Sequence, residues 1–252
     1  MTAYNLFAQG DCAYILSDTA ITAESGELIR DTPKVEQFAK ARLVVGWTGF
    51  APMFKGAYVN RVVEKLAALG IKSDHPSQGE IRAALPGVLR DMHAENLAWL
   101  AGDALMEERA AITLVVACYG ESEASPVLLA AETGKEGPVA PYELFRVRQM
   151  MGTDGPDAEA FFRQTFGGLP NMSDPKQFDA RKDGLALLEL QRRIPPAPWH
   201  FGHYGVGGKA MLTVIGPNGI CTETLKRWHD KIGQPIRPDA VKKILPKRPR
   251  LR

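Results

Sequence analysis

Three residues near the start of the chain have types and spacing that could carry out acyl transfer: Thr2 directly behind Met1, Asp18 in "LSDTA" and Lys34 in "DTPKVEQF". The intervals Thr2 to Asp18 and Asp18 to Lys34 are each 16 residues. A threonine hydroxyl is a poor nucleophile until a base takes its proton, and a residue at a free N-terminus carries one in its own α-amine, with a pKa of roughly 7.7 to 8.0. A nearby Lys34 ammonium would favour the neutral amine and stabilise negative charge developing at the hydroxyl, while Asp18 would hold that lysine charged and oriented. The chemistry requires loss of Met1, because a retained methionine turns the Thr2 amine into an amide nitrogen. A small second residue is what methionine removal generally needs. Each residue also has an ordinary reading: Asp18 and Lys34 as a surface ion pair worth little, and Thr2 as a frayed terminus.

The elements that must position these groups are legible as alternating blocks. "YNLFA" and "CAYILSD" flank Gln9, Gly10 and Asp11, a hairpin signal, and "ITAESGELIRD" and "ARLVVGW" supply further strand-like text. Helical periodicity follows in "APMFKGAYVNRVVEKLAALG", with Met53, Tyr58, Val62, Leu66 and Leu69 on one face and Gly70 as the stop. A second helix is expected from a Ser77 cap, with Pro86 kinking or breaking it. Strands return in "AAITLVVACY", "SPVLLAAET" and "ELFRVRQMM". Another helical pair is expected from about Asp157 to Phe166 and from Asp174 to Arg193, and the chain closes on two strands around Pro217, Asn218 and Gly219. Two runs of strands separated by helix pairs predict an α+β protein, a four-layer αββα sandwich of two stacked, mainly antiparallel sheets. Residues 1–235 are expected to form a single domain and 236–252 a basic, flexible tail, read as solvated in preference to a nucleic-acid or membrane tether.

With Thr2, Asp18 and Lys34 at these offsets and this order of elements, the chain resembles a proteasome β-type subunit, a member of the N-terminal nucleophile hydrolases that includes the bacterial proteasome-type threonine peptidases. The resemblance covers about residues 2 to 225. It implies that "VVGWTGF" carries the backbone amide that binds the oxyanion, placed at Gly49 with Gly46 as second choice, and that Trp47 and Thr22 line the substrate pocket. A core tryptophan is the alternative for Trp47. "MGTDG" resembles the family's Gly-Ser-Gly turn, with Thr153 at the serine position. "HYGVGG" departs from the family pattern, since His203 stands where an aspartate is usual and Val206 where a serine is. His203 is either a substitute hydrogen-bonding partner or a packed loop histidine. "WHDKIGQPIRP" looks like an extension beyond the family core, placed to pack on a neighbour.

The function this implies is a threonine-type peptidase or amidase assembled as a homo-oligomer, a ring or a stack, needing no cofactor and no metal. Two alternatives stand beside it: a catalytically silent scaffold subunit of the same fold, and a small-molecule amide hydrolase of the same superfamily. Whether an ATPase unfoldase partners the chain is open. Composition sets the outer bounds. A hydrophobic share of 45% with 24% charged residues is ordinary globular composition, and a net charge of +2 supplies no field that would draw nucleic acid. Cys12, Cys118 and Cys221 are odd in number and widely spaced, which fits reduced thiols of a cytoplasmic protein. No apolar run approaches the roughly 18 residues a membrane-spanning helix needs, and no signal peptide is expected ahead of Thr2.

Overall fold

The computed structural model describes residues 3–23, 25–49, 64–65, 67–68, 76–119, 125–133, 139–152, 163, 167, 171–194 and 203–238. The first strands are β1 (Tyr4–Gln9) and β2 (Cys12–Asp18), joined by a tight turn in which Gly10 adopts φ +58. That left-handed conformation is open to glycine at little cost, and it closes the hairpin with Gln9 opposite Cys12 and Tyr4 opposite Ser17. Two short strands, β3 (Ala20–Thr22) and β4 (Leu28–Asp31), follow as a separate ribbon. β5 (Val35–Phe38) and β6 (Leu43–Gly49) come next, then helices α1 (Gln78–Trp99) and α2 (Met106–Ala110). The chain continues through β7 (Ile112–Tyr119), β8 (Pro126–Glu132), β9 (Phe145–Arg146) and β10 (Gln149–Gly152). Helix α3 (Lys182–Gln191) precedes the closing hairpin of β11 (Lys209–Gly216) and β12 (Gly219–Arg227).

The strands form two five-stranded antiparallel sheets, ordered β10-β1-β2-β11-β12 and β5-β6-β7-β8-β9. Side chains alternate faces along a strand, and here both faces of each sheet are buried. Tyr4, Leu6, Ala13 and Ile15 from the first sheet meet Val44, Val115, Ala117 and Leu128 from the second in a shared inner core. The opposite face of the second sheet, with Leu43, Val45, Leu114 and Val116, packs on Ile81, Leu85, Val88, Leu89 and Met92 of α1. The opposite face of the first sheet, with Phe7, Leu16 and Leu212, packs on Leu187 and Leu188 of α3.

The expected four-layer αββα sandwich with helix pairs is corrected by this arrangement. Among the described residues the chain is mostly β, with three mainly antiparallel sheets, and each large sheet meets one long helix in place of a pair. The later helix is also shorter than expected, for a reason visible at residues 174–181. Asp174 accepts from the Lys176 amide, and Asp179 accepts from the amides of Arg181 and Lys182. These local side-chain bonds favour turns over helix, so α3 starts at Lys182 and not at Asp174. Most of the helices expected over 157–166 and 53–69 lies outside the described residues, with 163, 64–65 and 67–68 helical where described, and the tail beyond Arg237 and Pro238 lies outside as well.

Other expectations fare differently. Ser77 caps α1 through a reciprocal box, its hydroxyl accepting from the Glu80 amide while the Glu80 carboxylate accepts from the Ser77 amide. The helix continues through Pro86 and does not end there; burial of the stripe from Ile81 to Met92 outweighs the lost backbone bond. "ELFRVRQMM", read as one strand, is two: β9 pairs with β8 in the second sheet and β10 with β1 in the first, with Val147 and Arg148 between them. No helix of the described residues is long and apolar enough to cross a membrane.

Candidate active site

Asp18 ends β2 with its carboxylate fully buried, and Lys34 stands just before β5 with its side chain 9% exposed. The first hairpin and the β3–β4 ribbon fold back on each other, so residues 16 apart in sequence meet. The Lys34 Nζ donates to Oδ1 of Asp18 at 2.7 Å. The same oxygen accepts from the Ala3 amide at 3.1 Å, and Oδ2 accepts from the amides of Ala20 and Gly207, each at 3.1 Å. An ionised carboxylate offers about four lone-pair sites, and four donors fill them. Asp18 is therefore built to hold charge and geometry, since a carboxylate saturated in this way has no lone pair left for a substrate proton.

Lys34 is held from both ends. Its carbonyl accepts the phenolic hydroxyl of Tyr4, the first residue of β1. Burial pushes its ammonium below the ordinary lysine value, and the Asp18 charge opposes that fall. The surface ion-pair reading is thus replaced by a desolvated pair within a hydrogen-bonded shell. Tyr4 also explains Gly46: a Cβ at that position would lie 2.5 Å from the tyrosine ring. Gly46 stands opposite Val35, the residue after Lys34, so the Tyr4 ring, the Lys34 backbone and β6 close on one another.

The other expected residues divide. Gly49 ends β6 at φ +128, opposite Ile112, where a Cβ would collide with the carbonyl oxygen of Ala111. Trp47 is buried on the opposite face of β6 from Gly46 and packs with the residues of α1, which fits the core alternative. Thr22 is half-buried on β3, paired with Leu28 across a bulge. His203 is exposed and lies against Gly26, which fits a packed loop histidine; the second carboxylate oxygen of Asp18 is met by backbone amides. Thr2 and Thr153 lie outside the described residues. Thr2 is nonetheless one peptide bond from Ala3, whose amide is fixed on Asp18.

The residues that sequence reasoning missed are Tyr4 and the amides of Ala3, Ala20 and Gly207. Only Gly207 left a signal, since two consecutive glycines before a strand mark a place where backbone must approach closely. Gly208 follows at φ +73 with no room for a side chain beside the Thr19 hydroxyl, 2.5 Å from where its Cβ would be. That hydroxyl in turn donates to Asp31 and accepts from the Lys209 amide. Among the described residues no group of His, Cys, Asp and Glu side chains could hold a metal ion. Comparison of the chain with protein-family models and with curated proteins found no match.

Proposed function

We propose that the chain is a threonine-type amide or peptide hydrolase in which Thr2, freed by removal of Met1, is the nucleophile. The single observation that supports it is the buried Lys34–Asp18 pair, with Asp18 also gripping the amide of Ala3, the residue bonded to Thr2. In this reading the Thr2 α-amine takes the hydroxyl proton as Oγ attacks the substrate carbonyl. The C–N bond of the substrate breaks, the departing amine takes the proton from the α-ammonium, and an ester to Thr2 remains. Water, deprotonated by the same amine, then hydrolyses the ester and frees the hydroxyl. Lys34 keeps the α-amine neutral by charge repulsion and stabilises the developing oxyanion electrostatically. The Gly49 amide is the first candidate for oxyanion donor, with Gly46 second. Assembly into a homo-oligomer and a cytoplasmic setting belong to the same proposal.

The test is the intact mass of the purified protein before and after a threonine-directed epoxyketone. A mass lacking methionine that gains one inhibitor is the expected outcome, and a mass that retains methionine and gains nothing overturns the reading. Thr2→Ala should lower turnover of a peptide amide by at least about 10⁴-fold, and turnover at the original rate would rule out Thr2 as nucleophile.

A further inference from the structure

The segment after β12, which carries "WHDKIGQPIRP", packs on its own chain around the Asp18 shell. Asp230 and Arg192 form a bidentate pair, Nη1 to Oδ2 at 2.8 Å and Nη2 to Oδ1 at 2.6 Å, with both side chains 5% exposed. Arg192 also donates to the Val206 carbonyl at 2.7 Å, and its guanidinium carbon lies 4.9 Å from the centre of the Trp228 ring. Asp230 accepts from the Gly208 amide at 2.9 Å, and the Trp228 amide donates to the Gly208 carbonyl at 2.9 Å. A Cβ on Gly207 would sit 2.6 Å from Oδ2 of Asp230 and 3.0 Å from Nη1 of Arg192. The loop 206–208 is thus pressed between the Arg192–Asp230 pair on one side and Asp18 on the other.

The same segment grips the β3–β4 ribbon. The Leu28 amide donates to the Gln234 carbonyl at 2.9 Å, the Gly233 amide to the Leu28 carbonyl at 2.9 Å, and Glu27 pairs with Pro235. Ile236 is buried with Ala20 and Leu28. Ala20 supplies the other amide on Oδ2 of Asp18. One stretch of chain therefore anchors both backbone segments that donate to that oxygen.

We propose that Trp228–Ile236 is a built-in brace for the Asp18–Lys34 site, and that Arg192 and Asp230 are positioning residues that hold the Gly207 amide on Asp18. The effect on turnover rests on the hydrolase reading above; the effect on geometry does not. The test is native-state amide exchange on the full chain, followed across a urea series. In the wild type the amides of Gly207, Gly208, Leu28 and Ile236 should open as one unit. In Asp230→Asn, Gly207 exchange should rise roughly tenfold relative to Val115 and Ala117 in the second sheet. Turnover, where measured, should fall in kcat with KM unchanged, and Asp230→Glu should restore part of it. Gly207 protection within about twofold of wild type in a folded Asp230→Asn variant overturns the brace. Should that variant not fold, separate opening of Gly207 from Leu28 and Ile236 in the wild type overturns it equally. A wild type without turnover but with the expected exchange pattern sinks the hydrolase reading and leaves the brace standing.

Discussion

Among the described residues two buried ion pairs lie a few residues of backbone apart, Lys34–Asp18 and Arg192–Asp230, and they are made differently. Arg192 presents a planar fork that meets both oxygens of its partner, serves a carbonyl and lies over an indole ring. A planar guanidinium in such a setting has one favoured geometry. Lys34 is a compact charge bonded to one oxygen of Asp18, and burial pulls its proton affinity down. Asp18 spends its remaining capacity on the backbone amides of Ala3, Ala20 and Gly207, whereas Asp230 serves the arginine and one amide. The difference separates a pair that fixes a loop from a pair that, in the hydrolase reading proposed above, tunes a neighbouring amine.

Truncating either carboxylate is the harshest way to break this comparison. Asp18→Ala and Asp230→Ala should each lower unfolding stability by roughly 3–5 kcal/mol in urea titrations, because a buried cation is left unpaired. Asp18→Ala should be the worse, since it also strands the amides of Ala3, Ala20 and Gly207. Equal costs would mean that those amides find other partners. A milder probe exchanges the two cations. Arg192→Lys should cost about 1–3 kcal/mol, as one ammonium cannot meet both oxygens of Asp230 and the Val206 carbonyl together. Tyr4→Phe removes the hydroxyl on the Lys34 carbonyl and should cost about 1 kcal/mol. An unchanged midpoint would show that Tyr4 acts only through its ring against Gly46.

The smallest effect is the pH dependence that follows from Lys34. The Lys34 ammonium has a lower pKa in the fold than the ordinary 10.5. Between the lowered value and 10.5 the unfolded chain holds more protons than the folded one, so wild-type stability should rise with pH through that window. Lys34→Met should lose this rise, while Arg192→Lys should keep it. A rise that persists in Lys34→Met would assign it to another group.

Asp18 and Lys34 were legible in the sequence because their chemistry is carried by side-chain type and their distance by two intervals of strand and turn. The hairpin turns at Gly10 and Pro217–Gly219 and the Ser77 cap were legible for the same reason: each is decided within a few residues. The rest is decided across the chain. Gly207 reaches Asp18 over 189 positions, and Arg192 meets Asp230 over 38, so no local pattern marks them. Trp47 shows the limit from the other direction. A strand buried on both faces has no polar side from which to read which way a residue points, and the ring proved to face α1. The start of α3 was misplaced at Asp174 because Asp174 and Asp179 spend their carboxylates on turns where apolar spacing alone reads as helix.

The chain passes from one large sheet to the other between Arg146 and Gln149, with only Val147 and Arg148 in the crossing and the Val147 amide still bonded to the Leu128 carbonyl. A strand that changes sheets in so short a step works as a rivet. Sliding the sheets past each other would have to stretch a span that has no slack, so the offset between Tyr4 on one sheet and Gly46 on the other is fixed by covalent length as well as by packing. One residue inserted there would release the offset and reverse the facing of the strand beyond it, and the two halves of the site would lose their common frame.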